Sequence, residues 1–186
     1  MKENSSKRKP ISNEELKKEF VKYFGIEKWN HEEALGKLWP TMYALCEFLN
    51  VEPIPVIVDD IDEDSRYYPN DDYIVISSKL ICDEVEALKC LIHEIKHYQQ
   101  YMCVIHNITD NPFYNEWKED YLVNYKNITS YEEMLALSIE IDAFAFTKYI
   151  MKEWFNMEII LRSALRSDRR QYYEKIYHYP RRYLRA

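Results

Sequence analysis

Residues 93–97 read His-Glu-Ile-Lys-His, and this pentapeptide constrains the chain more than any other stretch. Two imidazoles four residues apart converge only if the backbone between them is helical, because positions i and i+4 then share a face. Convergent imidazoles suit zinc, a borderline-soft ion that takes nitrogen ligands. Glu94 lies beside the first imidazole, where a carboxylate can take a proton from a metal-activated water. The flanks agree with a helix. Asp83 followed by Glu86 makes a capping-box variant. Ala87, Leu88, Leu91, Ile92 and Ile95 then recur at helical spacing, and no Gly or Pro intervenes before Asn111-Pro112. The pattern predicts a helix over 84–103 with the motif near its middle.

Three protein ligands and one open position are usual for a catalytic zinc. Glu140 is the best third donor downstream. Ser130 with Glu133 makes a capping box, so a helix is predicted from about 131. From Leu135 to Phe146 that helix is apolar nearly all round, which reads as buried. Glu140 and Asp142 are its acidic exceptions, and a buried carboxylate must be paired or must bind a metal. Ala136 and Ala143 are small enough to let this helix approach the motif helix. Glu133 lies seven residues before Glu140 and is the rival ligand, but its capping role already accounts for it. Asp142 either orients a liganding imidazole from behind or pairs with a Lys or Arg.

These residues carry a resemblance. Leu-Ile-His-Glu-Ile-Lys-His-Tyr-Gln-Gln, followed later by Ile-Glu-Ile-Asp-Ala-Phe-Ala-Phe, resembles the gluzincin-type metallopeptidases. In particular it is similar to the small ImmA/IrrE-like peptidases of bacteria and mobile elements. Over about residues 54–150 the resemblance implies a zincin-like α+β fold, mainly helical. A small sheet would pack on the motif helix, and a later helix would carry the glutamate. It implies one Zn²⁺ per chain on His93, His97 and Glu140, with Glu94 as general base and a peptide or regulatory protein as substrate. Lys96 stands where many such peptidases carry Gly, and the stretch from His97 to Glu140 leaves room for an insertion.

The rest of the chain is consistent with one domain over 11–186, its core about 54–155, after a polar, disordered lead-in over 1–10. Only two glycines occur, Gly25 and Gly36, as suits a mainly helical chain. Ser12 with Glu15 starts one helix, and His31 to Leu49 forms another, kinked or broken near Pro40. Residues 54–58 and 73–77 read as strands. The second would border the cleft with an edge open to an extended peptide. Between them lies a solvated loop with seven acidic residues from Asp59 to Asp72, whose spacing fits no EF-hand. Residues 104–130 are irregular and aromatic, either a lid over the site or a packed insertion with a short helix.

No apolar run is long enough to span a membrane, and the first residues lack a signal-peptide core, so a soluble cytoplasmic protein is expected. Cys46, Cys82, Cys90 and Cys103 have no C-x-x-C spacing, which argues against a second zinc site. Cys90, three residues before His93, reads as a small core residue rather than a ligand. The C-terminal stretch 162–186 interleaves eight Arg or Lys with five Tyr, a composition able to bind nucleic acid. The net charge of −7 weighs against that partner. A zinc peptidase is therefore the leading expectation. Its alternatives are a non-catalytic binding or regulatory protein on a zincin scaffold, and a nucleic-acid-associated factor acting through the basic stretch.

Overall fold

A computed structural model describes residues 31–159. The predicted lead-in over 1–10, the helix from Ser12 and the basic stretch 162–186 lie outside the described residues. The described chain is α+β and mainly helical. Its elements are α1 (His31–Leu49), β1 (Val56–Asp59), β2 (Ser65–Tyr68), β3 (Tyr73–Ser77), α2 (Glu84–Ile105), α3 (Tyr114–Glu119), α4 (Tyr131–Leu135) and α5 (Ser138–Phe155). A π-helical turn at Asp120–Asn124 and a 3₁₀ turn at Tyr125–Asn127 follow α3.

The motif helix α2 is the axis of the fold. Asp83 caps it, its carboxylate accepting from the Val85 and Glu86 N–H groups at 3.1 Å each, which satisfies two donors the helix start leaves free. The helix contacts α1, α3, α5, β2 and β3. Consequently its residues are buried on nearly every side from Glu94 to Gln100. Leu38, Met42, Leu45 and Leu49 of α1 form one stripe of the core, and Leu88, Leu91, Ile92 and Ile95 of α2 form another. Phe146, Ile150 and Met151 of α5 complete it. Of the predicted kink or break at Pro40, the break does not occur, since helix α1 runs through that residue.

In this glycine-poor chain, Asn takes the place of Gly at helix ends. Asn50, Asn107 and Asn156 follow α1, α2 and α5 with φ of 58°, 52° and 54°. This left-handed conformation is one that Asn tolerates better than most residues.

The sheet has the order β1-β3-β2. β1 pairs in parallel with β3, Val56 opposite Ile74, and β2 pairs antiparallel with it, Tyr67 opposite Ile74. Two expectations are corrected here. The acidic stretch 59–72 is not wholly a loop, because it contains β2. Only four residues long, that strand shows one buried side chain, Tyr67, too little for its alternation to stand out among charges. β3 in turn is the central strand with both edges paired, so the edge strand beside α2 is β2.

The helix predicted from 131 through 146 is two helices. α4 ends at Leu135, Ala136 is exposed in the turn rather than packed at a helix contact, and α5 begins at Ser138. Leu137 at the cap position of α5 has no capping side chain. The cap comes instead from Asp120, whose Oδ2 accepts from the Ile139 N–H at 3.2 Å. Asp120 is buried, and its Oδ1 is held by Asn124 Nδ2 at 2.7 Å. Asp120→Ala should lower stability by about 1–2 kcal/mol, read as an earlier urea midpoint. An unchanged midpoint would show that α5 starts without this cap.

Candidate metal centre

The helix break at 136–137 sets where Glu140 sits. It places that residue in the first turn of α5, where the positive end of the helix dipole favours a carboxylate. Opposite it, the helical backbone of α2 presents His93 and His97 together. Their rings are 4.6 Å apart at 84°, and their Nε2 atoms face each other at 3.0 Å. Glu140 turns one oxygen to each imidazole, Oε2 to His93 Nε2 and Oε1 to His97 Nε2, both at 3.3 Å. All three side chains are largely buried. Among the described residues they form the one group of His, Cys, Asp or Glu side chains that could hold a metal ion.

The donor set fits a tetrahedral ion. Ligand atoms about 2.0–2.1 Å from such a centre lie about 3.3–3.4 Å from one another; the two Nε2 atoms are 3.0 Å apart, and each lies 3.3 Å from a different oxygen of Glu140. His93 Nδ1 is buried and has no hydrogen-bond partner among the described residues. The ring is fixed by packing instead, 4.4 Å from the Phe144 ring.

Electrostatics without a metal point the same way. Burial alone would lower the His97 pKa, but the charge and hydrogen bond of Glu140, with a further contribution from Glu94, push it up to about 9. Burial likewise opposes ionisation of Glu140, and the two imidazoles overcome that and hold its carboxyl far below the usual range. The metal-free centre is thus an ion pair, with an imidazolium standing where a cation would sit.

The structure places the remaining predicted residues as follows. Glu94 is buried with both oxygens on the edge strand. Oε1 accepts from Ser65 Oγ at 2.8 Å and Oε2 from the Tyr67 N–H at 2.7 Å. Glu133 is away from the centre, exposed, and accepts from the Thr129 N–H and Oγ1 at 2.8 and 2.9 Å. Asp142 is completely buried and pairs with a lysine. Its Oδ2 lies 3.2 Å from Lys96 Nζ and accepts from Gln100 Nε2 at 2.8 Å. Cys90 is buried, and burial above all raises its thiol pKa to about 12. It is not one of the grouped donors.

Four residues beside the centre escape sequence reasoning: Ser65, Gln100, Asp120 and Tyr121. Gln100 is three residues from His97, a helical spacing that could have flagged it. The Tyr121 hydroxyl donates to the His97 carbonyl at 3.0 Å. The segment 104–130 therefore packs against the motif helix, with Trp117 fully buried beneath it. Ser65 and Asp120 reach the centre through tertiary contacts that no local pattern signals. Set against known protein families, curated proteins and solved structures, the chain matches none. Among the described residues no helix is long and apolar enough to cross a membrane.

A metal must displace the His97 proton, so affinity should rise with pH, roughly tenfold per unit below about 9. The fold of the metal-free protein shows the opposite trend. The raised pKa adds stability that is full below pH about 6.5 and lost as pH climbs through about 9. Chelator-competition titrations with zinc at two pH values near neutrality test the first statement. Affinity that does not change with pH would contradict a protonated His97 in the metal-free centre.

Proposed function

We propose that the chain is a zinc-dependent peptidase of the zincin class, with Zn²⁺ held by His93, His97 and Glu140. The observation that carries this reading is the convergence of two imidazole nitrogens and one carboxylate within 3.3 Å, with Glu94 adjacent on the same helix. Two nitrogens and one carboxylate oxygen are the donor set of several catalytic zinc sites, and three ligands leave a position open. When bound, zinc supplies Lewis acidity toward a water and a carbonyl oxygen.

Glu94 supplies the base. Ser65 and the Tyr67 N–H hold its two oxygens, yet an ionised carboxylate has about four lone-pair sites, so capacity remains to accept a proton from water. Its charge reaches His97, where it adds to the upward shift. The same carboxylate then returns the proton to the departing amine. Edge strand β2 favours a peptide as the substrate, because an extended chain can pair along it. The Tyr67 N–H is already given to Glu94, so a peptide would pair with other groups of the strand.

A second reading has a specific observation behind it. Both Glu94 oxygens are already engaged by β2, as they would be if Glu94 were only a structural strut in a binding protein on the same scaffold. The substitution Glu94→Gln separates the two. With the metal still bound at about one ion per chain, casein hydrolysis should fall roughly a hundred- to ten-thousand-fold. Unaltered turnover in that variant would remove Glu94 from the chemistry. Absence of turnover in wild type alongside full metal content would favour the binding protein.

A further inference from the structure

His97 Nδ1 lies 2.9 Å from Gln100 Oε1. The other end of that carboxamide faces two acceptors, since Gln100 Nε2 donates to the Ile139 carbonyl at 3.0 Å and to Asp142 Oδ2 at 2.8 Å. A carboxamide donates only from nitrogen and accepts only at oxygen. With both acceptors on one side, the amide has a single satisfactory orientation, and its oxygen must face His97. That oxygen cannot donate, so Nδ1 carries the hydrogen. In the neutral ring the lone pair is then on Nε2, the atom turned toward Glu140 and His93.

Asp142 is fixed in its turn. It has no solvent exposure and lies 3.2 Å from Lys96 Nζ. Lys96 is 2 % exposed and donates to Gln99 Oε1 at 2.9 Å. Its ammonium stands 4.9 Å from the Trp117 ring centroid and 5.4 Å from that of Phe146. A buried ion pair is seldom worth its desolvation as a source of stability, and apolar replacements often do as well. This one instead presents a localised negative charge to the amide nitrogen of Gln100.

We propose that Lys96, Asp142 and Gln100 form a positioning chain that fixes His97 as an Nε2 donor and sets the metal affinity of the centre. The proposal rests on the metal-site reading above. Gln100 is a positioning residue, since it touches the ligand and not the reacting atoms. Lys96 belongs to the same device and explains why a long cation occupies the position before His97.

Zinc affinity of the full chain, measured by chelator competition, tests it. Gln100→Leu should bind zinc about 10–100-fold more weakly than wild type. The double variant Lys96→Met with Asp142→Leu keeps the buried volume and should unfold no earlier than wild type. It should nonetheless bind zinc more weakly, because the amide then keeps only the Ile139 carbonyl to orient it. Nitrogen-15 NMR of the zinc-loaded wild type gives a reading that folding alone would not move. A slowly exchanging His97 Nδ1–H is expected, and Gln100→Leu should lose its protection. Equal affinity in both variants, or zinc on Nδ1 of His97 in wild type, overturns the chain while leaving the metal site standing. Wild type that binds no zinc overturns both.

Discussion

A carboxylate enclosed by apolar side chains is the constraint on which the rest of this structure depends. Glu140 sits in a helix whose neighbours Ile139, Ile141 and Ala143 are all buried. Left alone there, its charge would cost several kcal/mol. The fold offsets that cost with two arrangements. The helix breaks before Ser138 so that the carboxylate lies at a helix N-terminus. Two imidazoles from α2 meet its two oxygens. The same imidazoles are poor partners for each other when both are charged, with Nε2 atoms 3.0 Å apart. A single cation between all three would relieve that conflict.

Around this centre the polar residues of α2 are sorted by face. His93 and His97 turn to Glu140. Glu94 turns to β2 and accepts its two donors. Lys96 and Gln100 turn to Asp142 on α5. A helix buried on most sides can carry so many polar groups only if each finds a partner, and here nearly every one does. The insertion after α2 contributes as well. Trp117 covers Lys96, Asp120 caps α5, and Tyr121 bonds the His97 carbonyl. What would otherwise be a surface excursion thus contacts both the helix of His93 and His97 and the helix of Glu140.

Much of this is legible in the sequence where the signal is local. The cap at Asp83 and the 3.6-residue apolar spacing give α2, and β-branched runs give β1 and β3. The capping box of Ser130 and Glu133 accounts for Glu133, and Glu140 is left as the carboxylate that joins the imidazoles. The remainder depends on contacts between distant segments. Strand β2 is too short and too charged to announce itself. The break at 136–137 carries no Pro or Gly, and its cap comes from Asp120, nineteen residues before Ile139. Asp142 looked like a direct partner of an imidazole or of a cation. It pairs with Lys96, and Gln100 links it to His97.

The most direct measurement is the zinc content of purified protein by elemental mass spectrometry, comparing wild type with Glu140→Ala and Glu133→Ala, each checked for folding by circular dichroism. The account predicts about one zinc per chain in wild type and in Glu133→Ala, and little in folded Glu140→Ala. Wild type free of zinc after growth in zinc-replete medium, or Glu140→Ala holding as much as wild type, would contradict it.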